Sequence, residues 1–454
     1  MGAWFGSGNG WRRVVGAGAL SLVLAAPAFA QGDDEALARE DRIQELERKV
    51  EVLTDEIARL RAEQAVPEDD RGLQSYMGLG PAASKVYGVT RGLSLGGYAE
   101  GFYRHYAKDD DTDDVDHADL LRGVLYVGYK FTDRLVFNSE IEFEHATTSA
   151  NRDGQSGSVS VEFAALDWMF SEWANLRMGL VLVPMGFVNE IHEPPFFHGV
   201  MRPEVEQRII PTTWRENGIG LYGRIGDQIE YRTYVVTGLD ASGITPTNMR
   251  GARTSGNRAR AEDLAGVLRV DWTPPIAEGA LTIGGSVYHG GIDQQRDYPD
   301  YAGADPDPDL TMWEAHAQLR RWGLELRALV AQAFVSDAGN LTRALQAAGR
   351  LNANQAIASE WLGWYVEAAY DVMPWIAPDS GFYLAPFLRY EWFDTQHDMP
   401  SGFAQDGTKD IRLITPGISF KPHPNVILKL DYRDFDSDEG EIADEVQLGF
   451  GVAF

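Results

Sequence analysis

The sequence predicts an all-β protein: a sixteen-stranded antiparallel transmembrane β-barrel preceded by a short α-helical coiled coil. Three observations carry that reading. In the C-terminal stretch, Val446, Leu448, Phe450, Val452 and Phe454 alternate with Glu445, Gln447, Gly449, Gly451 and Ala453, a period-two strand with one apolar face. Candidate strands upstream are joined by links that alternate between short and long. Ahead of them lies a segment with heptad spacing.

Residues 1–30 read as a secretory signal. Arg12 and Arg13 precede the apolar run Val14–Leu24, and Ala28-Phe29-Ala30 fits a small-residue cleavage site. The run is too short for the roughly 20 residues of a spanning helix. Residues 31–64 read as a coiled coil. Ile43, Leu46, Val50, Leu53, Ile57 and Leu60 are spaced alternately by three and four, while Arg39 interrupts the heptad before them. Residues 65–92 read as a linker, broken by Pro67, Gly72, Gly78, Gly80, Pro81 and Gly88.

The barrel occupies residues 93–454. Its strands are expected at 93–106, 119–131, 134–146, 158–170, 173–183, 217–225, 228–238, 262–273, 278–290, 310–321, 323–335, 360–373, 381–394, 409–421, 425–436 and 442–454. A tilted strand of about 10 residues crosses an outer-membrane apolar band. Links such as Thr132-Asp133, Gly226-Asp227 and Trp322 are tight, whereas those near 107–118, 184–216, 239–261, 291–309, 336–359 and 395–408 are long. Short periplasmic turns and long external loops are the pattern of outer-membrane barrels. Phe131, Phe170, Trp173, Trp272, Trp322, Trp375, Phe420 and Phe454 fall at the short-turn end, as an interfacial girdle would. The terminal Phe454 also resembles the signal read by barrel-assembly machinery.

Alternation sorts the faces. Trp313, Ala315, Ala317 and Leu319 oppose Glu314, His316, Gln318 and Arg320; Leu135, Phe137, Ile141 and Phe143 oppose Asn138, Glu140, Glu142 and Glu144; Val426, Leu428, Leu430 and Tyr432 oppose Lys429, Asp431 and Arg433. A cation held mid-bilayer on the lipid face costs about 2–4 kcal/mol, so the charged series faces a lumen. Arg177, Arg232, Arg269, Arg320 and Arg389 are candidate pore-wall residues, and most are expected in wall ion pairs. In the fourth strand the alternation slips between Phe163 and Trp168, near Asp167, which a bulge explains.

Composition excludes several functions. There are 40 Lys plus Arg against 68 Asp plus Glu, a net charge of −28, and cleavage after Ala30 takes it to −30 by removing two arginines. Nucleic acid is an unsuitable partner for that surface. With no cysteines, no disulfide holds the exported chain. No nucleophilic triad, phosphate loop or dinucleotide fingerprint is present, so no enzymatic activity and no cofactor are expected. His192, Glu193 and His198 lack zinc-helix spacing, and Pro194-Pro195 would break the helix, so no metal site is expected. The acidic runs Asp109–Asp116, Asp293–Asp309 and Asp434–Glu441 are placed in external loops, where divalent cations can bridge them to lipopolysaccharide.

The loop Pro184–Gly218 is rich in Phe, Pro, Ile and Arg, the composition of a loop that packs on something. Gly80-Pro81-Ala82-Ala83-Ser84-Lys85-Val86-Tyr87, Leu95-Gly96-Gly97-Tyr98 and Ile209-Ile210-Pro211-Thr212-Thr213-Trp214-Arg215-Glu216-Asn217-Gly218 resemble the phosphate-selective porin O/P family. The resemblance spans about residue 78 to the C-terminus. It implies a homotrimeric porin in the outer membrane of a Gram-negative bacterium, with the coiled coil in the periplasm. It also implies passive diffusion of small hydrophilic anionic solutes, phosphate or small carboxylates, through a channel narrowed by the third loop. Arg202, Glu204, Glu206, Arg208, Arg215 and Glu216 are the candidate constriction. The lysine-rich site of the best-known members is not matched: after the first strand there are only Lys108, Lys130, Lys409, Lys421 and Lys429. The competing expectation is a barrel that only anchors a coiled coil which tethers or spaces the outer membrane.

Overall fold

The computed structural model describes residues 42, 44–45, 48–49, 73–107, 114–275 and 280–454. The chain divides into two units, residues 1–70 and 71–454. Of the first, Arg42, Gln44, Glu45, Arg48 and Lys49 are helical and exposed, and Lys49 pairs with Glu45 at 2.7 Å. The signal segment and the heptad positions Ile43, Leu46, Val50, Leu53, Ile57 and Leu60 lie outside the described residues.

The second unit is a closed barrel of sixteen antiparallel strands in which each strand pairs with its sequence neighbours. They are β1 (Gly92–Ala107), β2 (His117–Thr132), β3 (Leu135–Glu144), β4 (Val159–Met169), β5 (Asn175–Leu182), β6 (Arg215–Ile225), β7 (Ile229–Thr237) and β8 (Leu264–Trp272). The series continues with β9 (Leu281–Gly291), β10 (Asp309–Arg321), β11 (Leu324–Val335), β12 (Glu360–Tyr370), β13 (Tyr383–Asp398), β14 (Asp410–His423), β15 (Val426–Ser437) and β16 (Asp444–Ala453). Closure runs from Tyr98 opposite Ala453 to Ala107 opposite Asp444, and Gly97 and Phe454 exchange backbone hydrogen bonds of 2.9 and 3.0 Å. The final residue therefore helps to seal the seam, leaving no edge strand.

The face assignment holds. Leu428 and Leu430 are 45% and 48% exposed, while Lys429 and Asp431, which alternate with them, are each 3% exposed. Phe131, Phe170, Trp173, Trp272, Trp322, Trp375 and Phe454 are all exposed around the short-turn rim. Tyr129 packs on Phe131 at 4.8 Å and Trp168 on Phe170 at 5.2 Å, which broadens the belt.

Two expectations need correction, and one feature of the wall is new. The bulge in β4 sits at Glu162, where the register shifts between Glu140 and Ile141 of β3, and not at Asp167. Glu162 and Phe163 consequently both turn inward. β13 and β15 continue through Asp398 and Ser437, so Asp434 and Asp436 lie on a strand and not in an external loop. Finally, the inner wall is not charged throughout. Towards the long-loop rim, Tyr234, Val236, Ala265, Val267, Tyr288, Leu310, Met312, Leu329, Ala331, Ala333 and Trp361 face inward and are buried. They form one hydrophobic cluster with Ile209, Ile210 and Trp214 of the third loop, Leu239 and Met249 of the fourth, and Leu341 and Leu345 of the helix Ala338–Ala347. Part of the lumen is thus filled by a protein core.

Candidate functional site

The third loop, 183–214, leaves β5, crosses the lumen and returns to β6, with nearly all its residues buried. Its two ends are tied together. Val183 N–H donates to the Trp214 carbonyl at 2.9 Å, and the Asn189 amide bonds both carbonyls and the Trp214 N–H. A loop taken out of water must find partners for its backbone groups, and lumen side chains supply them. Arg269 donates to the Gly186 carbonyl, Arg327 to Phe196 at 2.7 Å, and Arg389 to His198 and Met201 at 3.4 Å each. Asp431 accepts from Val200 N–H at 2.5 Å.

The pore-wall candidates mostly sit in ion pairs, as expected. Arg177 holds Asp167 (2.8 Å), Arg232 holds Glu190 (3.0 Å) and Asp271, Arg269 holds Asp271 (2.8 Å), and Arg389 holds Glu391 (2.8 Å) and Glu367 (3.4 Å). Arg320 differs: its side chain is half exposed and reaches Glu325 at 3.3 Å. Their charges satisfy one another and the loop.

The six constriction candidates do not form one cluster. Glu204 is clamped by Arg433 (2.6 Å) and Arg208 (2.7 Å); burial opposes its ionisation, but these two cations hold it down at about 2. Glu206 accepts from Val188 N–H at 2.8 Å and the Tyr365 hydroxyl at 2.7 Å, a positioning arrangement inside the loop. Arg215 pairs with Glu162 at 2.8 Å. Glu216 accepts from Thr237 at 3.0 Å and from the Thr254 amide at 3.0 Å, which anchors the fourth loop.

Arg202 stands apart. It is 6% exposed, donates to Thr212 Oγ1 at 2.7 Å, and has a buried Nη2 with no hydrogen-bond partner among the described residues. Its charge is felt by Arg122 on β2 and by Arg250 in the fourth loop. Arg250 also has a buried, unpartnered Nε. Arg253 next to it donates to the Thr212 and Thr213 carbonyls. Burial, then the charges of Arg250 and Arg215, pushes Arg253 down to about 9. Five arginines from β2, β6 and two loops thus crowd one stretch of lumen. Among the described residues, Arg202, Arg250 and Arg253 have no ion pair. The fourth-loop members were invisible in the sequence, because an arginine in a loop reads as a solvated charge.

The segment read as a linker enters the barrel from the short-turn side. Leu79, Ala82, Ala83 and Val86 are buried, within a cluster that includes Tyr98, Val124, Tyr126 and Phe163 or against Gly128. Tyr87 donates to Asp167 at 2.6 Å, Asn138 donates to the Ala83 carbonyl at 2.8 Å, and Arg177 reaches the Met77 carbonyl. The third loop meets it there: Glu193 accepts from the Ala82 and Ala83 amides at 2.9 to 3.1 Å. A Cβ at position 80 would meet the Glu193 carboxylate, which would have to shift from its bonds to Ala82 and Ala83. The distinctive run Gly80–Tyr87 is therefore a plug, and its residues are chosen for packing.

No family model matches the chain. A protein of Aquifex aeolicus (strain VF5), described as uncharacterized, is 39% identical over 379 residues, covering 82% of each chain. Among solved structures, the barrel is similar to Salmonella typhi OmpF in complex with daunomycin (TM-score 0.55, 14% identity, 80% of this chain and 98% of that one). It is also similar to the anion-selective porin of Comamonas acidovorans (TM-score 0.51, 13% identity, 80% and 99%). A third is the outer-membrane channel DcaP of Acinetobacter baumannii (TM-score 0.50, 13% identity, 80% and 97%). The chain belongs to one family with the Aquifex aeolicus protein, and its fold is the sixteen-stranded barrel of the porins.

Proposed function

We propose that the protein is an outer-membrane porin through which small hydrophilic anions, phosphate or small carboxylates, diffuse passively. The observation that carries this reading is the group of lumen arginines, Arg202, Arg250 and Arg253, with no ion pair among the described residues. Buried cations without counter-charges are costly unless an anion visits them. The third loop narrows the path, with Arg202 and Arg208 as its charged lining. The resemblance to the phosphate-selective O/P porins, the name of the Comamonas barrel and the barrel fold support the same reading. So does the apolar outer band, for membrane insertion. The protein acts as a homotrimer in a Gram-negative outer membrane, with residues 31–64 in the periplasm and long loops outside.

A second reading is favoured by one feature. The plug, the third loop and the inner hydrophobic cluster fill part of the barrel, as an anchor for a periplasmic coiled coil would allow. Liposome swelling separates the two: proteoliposomes swell in small sugars and amino acids if the barrel conducts, and keep their volume if it only anchors.

A further inference from the structure

We propose that Glu140, Glu162 and His192 bind one divalent transition-metal ion, zinc by its donor set, which pins the third loop to the barrel wall.

One ligand atom from each of these three buried residues lies within 4.8 Å of the others. His192 Nε2 is 3.2 Å from Glu140 Oε1 and 3.5 Å from Glu162 Oε2. Tetrahedral zinc with bonds of about 2.0–2.1 Å places its ligand atoms roughly 3.3 Å apart, so the spacing already suits an ion. The orientation of the imidazole agrees. Nδ1 is 3.0 Å from the Asn189 carbonyl and donates to it, which leaves the Nε2 lone pair aimed at the two carboxylates. Metal-bound histidines are held by this kind of outer hydrogen bond.

A separate observation asks for an occupant. Glu140 Oε2, Glu162 Oε2 and the Tyr98 hydroxyl are all buried with no hydrogen-bond partner among the described residues. Tyr98 packs edge-on against the His192 ring at 5.9 Å. Orphaned polar atoms this deeply buried are uncommon and call for an ion or other ligand. Of the neighbouring arginines, Arg215 takes Glu162 Oε1, Arg122 pairs with Glu100 (2.9 Å) and Glu142 (3.4 Å), and Arg202 bonds Thr212 while its Nη2 stays unpartnered among the described residues; none of the three bonds Glu140. Glu140 has no arginine or lysine ion pair among the described residues, and a metal ion would supply its counter-charge. The imidazole nitrogen argues against calcium and magnesium, which prefer oxygen.

The site was illegible as a motif. Its residues come from β3, β4 and the third loop, and the β4 bulge at Glu162 completes it. His198, the other histidine of the loop, stacks on Phe387 at 5.4 Å and takes no part.

The full chain, purified folded in detergent, is equilibrated with zinc, desalted and analysed by elemental mass spectrometry. The proposal expects about one zinc per chain, nitrogen and oxygen ligation at the zinc absorption edge, and an unfolding transition lowered by chelation. His192→Ala and Glu140→Gln lose the metal, whereas His198→Ala retains it. Wild-type protein that holds far less than one zinc overturns the proposal. So does zinc content unchanged in folded His192→Ala and Glu140→Gln, since the metal then sits elsewhere, for instance on the acidic loops. If neither variant folds, the wild-type stoichiometry and edge spectrum decide.

Discussion

Arg202 and Arg250 are lumen arginines with no ion pair among the described residues, and each keeps a buried N–H without a hydrogen-bond partner there. Removing a unit charge about 4 Å from a passing ion costs about 1 kcal/mol even in water, or about five-fold in relative permeability. Arg202→Ala and Arg250→Ala should each lower the anion-to-cation permeability ratio by roughly that factor, read from reversal potentials. Arg232→Ala should instead destabilise the barrel with little change in selectivity, because its charge is spent on Glu190 and Asp271. Glu204 supplies a pH signature. Its folded pKa of about 2 lies below the ordinary 4.5, so its stabilisation is complete above about pH 4.5 and is lost as pH falls towards 2. The loop should loosen on acidification in that window, raising single-channel conductance. Glu204→Gln should show the raised conductance already at neutral pH, since breaking a buried pair costs about 3–5 kcal/mol. A variant that conducts like wild type at every pH would count against the clamp. These roles were only half legible in the sequence. Arg202 drew notice because it sits in a loop of packing composition. Arg250 did not, because nothing around it separates an inward-folded loop from a solvated one.

At the scale of elements, the strands were legible because the lipid face imposes a period of two that no other constraint erases. All sixteen strands fall within a few residues of their expected spans. The contrast between the two faces, though not the strand spans, blurred where a second requirement overlay it. In β11, Leu329, Ala331, Ala333 and Val335 are apolar on the inner face because the loops pack there, so both faces read alike. In β4 the bulge moved the slip to Glu162. The plug was hidden for another reason. The run Gly78–Tyr87 is too distinctive for a mere spacer, but its composition does not say what it packs on; the long-range bonds to Glu193 and Asn138 do. The plug yields a direct expectation: Gly80→Val, which forces a side chain into the Glu193 carboxylate, should displace the segment and change conductance in planar bilayers without preventing barrel assembly. Wild-type currents from that variant would show that the plug does not bear on the path.

For the whole molecule, the barrel closes through the pairing of its own sixteen strands. Oligomer symmetry should then come from the barrel wall, and the proposed trimer should persist in detergent in a chain lacking residues 31–64. Dissociation to monomers would give residues 31–64 the larger part. The outer face sets the location: Leu430→Lys puts a cation into lipid at a cost of about 2–4 kcal/mol and should impair folding into vesicles, whereas a lysine beside it at 429 is already accommodated inside. The central claim is that this barrel conducts and prefers anions because of its unpaired lumen arginines. It is tested most directly by the reversal potential of the purified protein in a planar bilayer under a potassium chloride gradient, with Arg202→Ala/Arg250→Ala alongside. The account predicts a potential of the sign set by chloride, moving towards the potassium side in the double variant; a cation-selective wild type, or no current at all, would contradict it.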